Sequence, residues 1–285
     1  MDQQSQMQFA SGEEKTTGLK VIYPVYRADN TLVPFVHALK LAQVTQGEFE
    51  IVDVRSEEEA LEHLGVRGVL EKWGVLPSGS HRSDLSQIGL KVKKVVKNGN
   101  KRREILRRLD KRPHDLMVLG VENHSSLSRI FSSDLSRSLC DHFPAATIFV
   151  PDNGRSFVDE ETGRLNLNTI LLPLADSSSY DFTMRYLDRF LTLLPGVKPT
   201  VIGLHSGTGF PKIKRPSPEK VHWLETVRSE SVVDAIAHAA EIYNADLILM
   251  CTKGRYSLAR KLAGTLTEKT VRSSPCPLLS IPYSD

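Results

Sequence analysis

Short apolar runs alternate with amphipathic stretches along almost the whole of this chain. Lys20–Val25 is a β-branched run, and Val33–Val44 sets Val33, Val36, Leu39 and Leu41 at helical spacing, so a strand is followed by a helix. Phe49–Val54 predicts a second strand, and a Glu-rich segment with Leu61, Leu64 and Leu70 a second helix. Leu90–Val96, Leu116–Gly120 and Ala145–Val150 predict three more strands, separated by a basic helix over Lys101–Leu109 and another over Leu127–Phe143. Beyond them, strands are predicted at Thr169–Leu174, Thr200–His205, Val221–Val227, Leu247–Met250 and Leu278–Ile281, with helices at Phe182–Leu194 and Val232–Tyr243. Alternating strands and helices imply parallel strands joined by right-handed crossovers, hence doubly wound α/β sheets with helices on both faces.

The order is written twice. Asp115–Pro151 and Asp246–Pro282 align without a gap over 37 positions at an offset of 131, with Asp115/Asp246, Leu116/Leu247, Ser126/Ser257, Leu127/Leu258, Arg129/Arg260, Leu135/Leu266, Pro144/Pro275 and Pro151/Pro282 identical. Self-similarity at so long a period signals a duplicated unit. The first strands align through Pro24 and Pro173 at an offset of 149, so the first half carries 18 extra residues. They fall where Ser206–Lys220, with three prolines and no apolar period, replaces the predicted Leu61–Leu70 helix. The expected organisation is a disordered tail over 1–17, a first domain over 18–151, a linker over 152–168 rich in Gly, Asp, Glu and Asn, and a second domain over 169–285.

Composition narrows the classes. A chain of 285 residues can build two domains with their own cores. A formal charge of only +3 creates no whole-chain field for nucleic acid or anionic membrane. Cys140, Cys251 and Cys276 form no CxxC pair and no metal-type spacing with the nine histidines, which suits a reducing, cytoplasmic setting. Residues 1–17 are polar and lack the apolar h-region of a secretion signal, and no apolar run approaches the ~20 residues of a membrane span.

Candidate chemistry gathers in one loop of the second half. Met250, Cys251, Thr252, Lys253 and Gly254 are followed by nine residues and then Gly264 and Thr265. Glycine lets the backbone take positive φ and bring an amide close to a phosphate. Thr265 and Glu268 have capping-box spacing, which predicts a helix start at Thr265 with unpaired amide donors beside Gly264. Lys253, Arg255 and Arg260 add positive charge, and in an α/β sheet such a loop lies at the carboxyl end of a strand, where ligands bind.

Gly254, nine residues, Gly264-Thr265 and the closing PCPLLSIP resemble the nucleotide loop and last strand of the universal stress protein family, and the repeat resembles a tandem member. YPV at Tyr23, LPLAD at Leu172 and VRGVLEKWGVLP extend the resemblance to both halves. It implies two adenine nucleotide alpha hydrolase-like domains whose fifth strands, Ala145–Val150 and Leu278–Ile281, pair edge to edge as an internal pseudodimer. It also implies ATP, with magnesium accompanying it, at Ala175, Asp176, Met250, Cys251, Lys253, Gly254, Gly264, Thr265 and Leu266. Two positions depart from the family pattern: Cys251 replaces its first glycine, and Asp176 lies one place after the family aspartate, where Ala175 stands. In the first half Tyr26, Asn123, Ser133 and Asp134 replace the pattern, with only Gly120 kept, and a carboxylate at Asp134 would cap the helix amides and repel phosphate by ~1 kcal/mol or more. No nucleotide is expected there.

Other signals are bland. Lys212, Lys214, Arg215 and Lys220 read as a solvated loop, and the basic helix lacks the interleaved aromatics of a nucleic-acid platform. No G-x-S-x-G elbow or HExxH occurs, His205 reads as structural or site-lining, and IVDVR lacks the cysteine loop of a rhodanese. The expectation is therefore a cytoplasmic stress-response sensor of adenine nucleotide with no catalytic residues. The alternatives are an interaction module for an unknown protein partner and a slow ATPase, with neither nucleic acid nor membrane as partner and a homodimer as the further assembly to test.

Overall fold

A computed structural model of the chain describes residues 18–25, 32–55, 65–121, 138–140, 142–174, 177–253 and 266–283. Expectations for the tail over 1–17, for Leu61 and Leu64 and for residues 127–137 fall outside them. The first half contains β1 (Lys20–Val25), α1 (Val33–Val44), β2 (Glu48–Arg55), α2 (Val66–Lys72), α3 (Asp84–Gln87), β3 (Lys91–Asn98), α4 (Lys101–Lys111), β4 (Leu116–Val121) and β5 (Ala146–Pro151), with a helical stretch at 138–140. The second contains β6 (Thr169–Leu174), α5 (Ser177–Thr192), β7 (Thr200–Ser206), β8 (His222–Arg228), α6 (Val232–Ile242), β9 (Leu247–Lys253), α7 (Leu266–Ser273) and β10 (Leu278–Tyr283).

The strands form one ten-stranded sheet in the order β3-β2-β1-β4-β5-β10-β9-β6-β7-β8. Every neighbouring pair is parallel except β5 with β10, which run antiparallel through Phe149↔Leu278, Ile148↔Leu279 and Thr147↔Ser280. Two parallel five-stranded halves are thus joined along their last strands, and each half closes the other's free edge. Both faces are covered, so strand residues alternate between two apolar layers. Val21, Tyr23, Val118, Ile148, Leu172, Leu249 and Leu279 pack on the side of α1, α2 and α5. Ile22, Met117, Phe149, Leu171, Ile248 and Leu278 pack on the side of α4, α6 and α7. Each layer runs through both halves.

The repeated aspartates do the same work twice. Asp115 accepts the Lys20 amide at 2.8 Å and donates its own amide to the Lys20 carbonyl at 2.9 Å, tying β4 to β1. Asp246 accepts the Thr169 amide at 2.9 Å and returns its amide to the Thr169 carbonyl at 2.9 Å, tying β9 to β6. The helix α5 begins five residues before the predicted Phe182, and α3 was not legible in the periodicity. No helix stands between β7 and β8, where Phe210 and Ile213 of the proline-rich segment pack against the core instead.

The segment over 152–168, polar in composition, is packed rather than a free spacer. Phe157 and Val158 are fully buried, and Arg155 reaches the second half through the carbonyls of Ala240 at 2.7 Å and Ala245 at 3.0 Å. Phe157 lies edge-on to His37 of α1 with ring centroids 4.4 Å apart. His37 is fully buried, donates from Nδ1 to the Val33 carbonyl at 2.7 Å, and burial pushes its pKa down to about 4. An unfolded chain binds this proton near pH 6.5 and the folded chain does not, so stability falls as pH drops from 6.5 towards 4. The loss attributable to His37 is expected to reach about 1 kcal/mol by pH 5.5 and about 3 kcal/mol by pH 4. Urea unfolding of wild type and His37→Gln across this range checks it: parallel acid limbs would show that His37 is not responsible.

Candidate functional site

Between β6 and β9 the sheet opens. The two strands pair through Ile170↔Leu247 and Leu171↔Ile248, and no further pair follows, whereas β6 keeps six pairs with β7 and β9 six with β10. β6 and β9 therefore part towards their carboxyl ends, because the chain leaves them in opposite directions along the sheet. β1 and β4 part in the same way after Val21↔Leu116 and Ile22↔Met117. This is the topological switch point of a doubly wound sheet, the crevice in which such folds hold ligands.

The described site residues stand around that opening. Cys251 lies on the lip of β9 level with the end of β6, its side chain on the α5 side and half-buried. Met250 points the other way into the core at 4 % exposure, so only its backbone can face a ligand. Lys253 ends β9, and Leu266, 38 % exposed, opens α7. Ala175, Asp176, Gly254, Gly264 and Thr265 lie outside the described residues, as do Tyr26, Asn123, Ser133 and Asp134 of the first half. Their flanking residues are in place: Leu174 closes β6 immediately before Ala175, and α7 starts directly after Thr265.

Two helices aim their amino termini at the opening from opposite faces. α5 starts three residues after the end of β6, and α7 must start at the carboxyl edge because it leads into β10, which runs parallel to β9. Amide donors and the positive end of the helix dipole therefore flank the crevice. The early start of α5 is what the serines of Ser177–Ser179 do: they break the apolar period, which hides the first turn from a periodicity search.

Sequence reasoning missed the side chain that governs Cys251. Thr183 of α5 is buried, and its hydroxyl donates to the Ser179 carbonyl at 2.7 Å while lying 2.9 Å from Cys251 Sγ. That contact turns the Cys251 side chain towards the helix. His205, at the carboxyl end of β7, lies 3.1 Å through Nδ1 from the Leu174 carbonyl. A carbonyl can only accept, so Nδ1 is the donor, and the bond anchors the ring at the end of β6. Gly207 makes room for the ring, because a Cβ there would sit 2.6 Å from His205 Nε2. The only sequence signal for this pair was a histidine ending a strand two residues before a glycine. Among the described residues no three His, Cys, Asp or Glu side chains gather to hold a metal ion.

Comparison with known proteins agrees with the geometry. A sequence model described as the universal stress protein family matches residues 20–151 and 207–282. No curated protein matches the chain. Among solved structures, a universal stress protein from Archaeoglobus fulgidus DSM 4304 superposes with a TM-score of 0.60 at 14 % identity, covering 92 % of this chain and 98 % of its own. A putative universal stress protein from Pseudomonas aeruginosa UCBPP-PA14 follows with a TM-score of 0.56 at 14 % identity and 93 % of both chains. A functionally unknown protein from Pseudomonas aeruginosa PAO1 reaches 0.58 at 12 % identity, over 93 % of this chain and 92 % of its own. At these identities the structures speak for the fold.

Proposed function

The chain belongs to the universal stress protein family, and on that basis we propose that it serves stress adaptation by sensing an adenine nucleotide in its second half. The observation that carries the reading is the parting of β6 and β9, with Met250 and Cys251 on the lip of β9, at the strand ends from which the sequence runs on into Ala175-Asp176 and Lys253-Gly254, and ahead of α7 into Gly264-Thr265-Leu266. Phosphates would lie across the amides of the Gly264-Thr265 turn and the first turn of α7, with Lys253 neutralising charge. The base would enter along the β6 lip, where strand carbonyls offer acceptors for an exocyclic amine and the His205 ring, held by the Leu174 carbonyl, stands beside them. The Thr183 bond turns the Cys251 thiol towards α5 and so keeps its bulk out of the path that a glycine would leave open. Magnesium would arrive with the triphosphate, and Asp176, two residues after the end of β6 in the sequence, would be the carboxylate to meet it.

Bound nucleotide shifts the protein only by its difference in affinity between two conformations. The antiparallel pairing of β5 with β10 supports reading the chain as a pseudodimer, so a change at the second crevice has a direct route to the first half through one continuous sheet. Among the described residues no helix is long and apolar enough to cross a membrane, and none of the three cysteines is in a disulfide, which fits a cytoplasmic setting. Calorimetric titration of ATP and AMP tests the reading. Wild type is expected to bind with Kd on the order of micromolar, and Gly264→Asp to weaken it by roughly tenfold or more, because the carboxylate caps the same amides and repels phosphate. Absence of heat from the wild type, with the protein folded, would end it. Phosphate release above a blank would make the protein a slow ATPase instead.

A further inference from the structure

The outer strand of the first half concentrates the positive charge of the molecule. Residues 91–112 hold eleven of the 37 basic residues and two of the 34 acidic ones, a net +9 in a chain whose total is +3. The rest of the protein is therefore acidic, and this corner is a local field rather than a reflection of composition. β3, KVKKVVKN, contributes Lys91, Lys93, Lys94 and Lys97, all exposed. Its inner side pairs with β2 from Lys91 to Asn98, and among the described residues no strand lies on its outer side.

Part of this charge is met within the molecule. Arg108 and Arg112 turn inward to Glu50 and Glu48 of β2, Lys94 lies 3.8 Å from Asp53, and Arg103 and Arg107 share Glu104. Lys91, Lys93 and Lys97 stand opposite Glu48, Glu50 and Val54 in the register, hence on the face that α4 covers, and Arg102 of α4 is exposed. Two kinds of unmet demand thus coincide on one strand: main-chain donors and acceptors along its outer side, and three lysines, Lys91, Lys93 and Lys97, on one face, with Val95 between the last two.

We propose that the outer edge of β3 is a docking strand for an extended acidic segment of a partner protein, which adds to the sheet as an eleventh strand. Main-chain hydrogen bonds would supply affinity, and carboxylates at alternate positions would meet Lys91, Lys93 and Lys97, since side chains of an added strand project to one face with the same period of two. Nucleic acid fits less well. It satisfies no strand amides in a ladder, and residues 91–112 contain no aromatic side chain on which bases could stack. The β8 edge at the far end of the sheet lacks this character: its Glu225 already binds Arg215 at 2.7 Å and the Trp223 indole at 2.9 Å.

The test uses the full chain and a fluorescent peptide of alternating glutamate and threonine, about ten residues long, so that all carboxylates share one face. A second peptide with every threonine N-methylated keeps the charge but cannot form the ladder, and oligo-dT supplies the same charge as phosphate. Fluorescence anisotropy is expected to show saturable binding of the first peptide, roughly tenfold or more weaker binding of the methylated one, and a similar loss in the triple variant Lys91→Glu, Lys93→Glu, Lys97→Glu. An unchanged melting curve of that variant shows that the loss is not unfolding. Equal binding of both peptides would reduce the surface to simple electrostatics, and tighter binding of oligo-dT would assign it to polyphosphate. No binding of any probe would leave the lysines as guards against edge-to-edge aggregation. Each of these three outcomes overturns the proposal. Nucleotide titration reports on the β6/β9 crevice and is independent of all of them.

Discussion

Arg108→Met is expected to destabilise the protein by about 3 kcal/mol at neutral pH, measured by urea unfolding. Glu50 is fully buried beneath α4, and Arg108 grips it with both sides of its guanidinium, Nε to Oε1 and Nη2 to Oε2 at 2.7 Å. Burial by itself raises the pKa of this carboxyl, but the Arg108 hydrogen bonds and the His114 ring beside it outweigh that and hold Glu50 at about 2. Removing Arg108 leaves a buried charge with Arg112 at 3.6 Å and His114 at 3.5 Å as remaining partners. That geometry places the loss at the lower end of what a broken buried pair costs. The folded pKa lies below the unfolded one, so this contribution is complete above about pH 4.5 and is lost as pH falls through about 2. In the variant Glu50 should protonate at higher pH, and the difference from wild type should shrink on acidification. The apolar double variant Glu50→Leu, Arg108→Met is expected to recover most of the loss. A single-variant loss under ~1 kcal/mol would mean that water, not Arg108, satisfies Glu50.

Gly163→Ala is the second large effect expected, about 3 kcal/mol, against about 1 kcal/mol for Gly74→Ala. Both glycines hold left-handed backbone, at φ +64 and +68, so both substitutions carry the same backbone strain. They differ in what surrounds them. A Cβ on Gly163 would lie 2.3 Å from Cδ2 of Trp73, whereas nothing stands within 4 Å of a Cβ on Gly74. The indole cannot retreat easily: its Nε1 donates to the Glu160 carbonyl at 3.0 Å, and the Lys40 ammonium lies 5.6 Å above the ring. Lys72 and Glu161, paired at 2.7 Å, fasten the same turn from its rim. Denaturant unfolding of the two variants side by side separates strain from collision. Equal losses would show that Trp73 moves aside and that the connecting segment is not clamped to α2.

These two sites differ in how they could be read from the chain. Glu48 and Glu50 alternate with Phe49 and Ile51 in a strand, and the basic helix was evident from Lys101–Leu109, but nothing in either stretch says that they face each other. Trp73 and Gly163 are 90 positions apart, and the segment over 152–168 looks like a spacer because its buried pair, Phe157 and Val158, is too short to set up a period. Such contacts lie between elements, where sequence patterns carry no signal. The same limit applies to the candidate site. The Gly254, Gly264 and Thr265 spacing was legible because glycine and cap chemistry are local properties of the backbone. His205 could be read only as structural or site-lining, and Thr183 not at all, since each acts through a residue on another strand or helix.

By itself the sequence determined the strand and helix order, the duplication and the absence of a helix between β7 and β8, because hydrophobic period and internal offset depend only on neighbours along the chain. The tertiary structure alone decided where β6 and β9 part, that Glu50 is paired by α4, that Cys251 is turned by Thr183, and that β3 is left with an open basic edge. Those outcomes follow from which elements pack together, a property set by burial of both sheet faces at once and by no single segment of the chain.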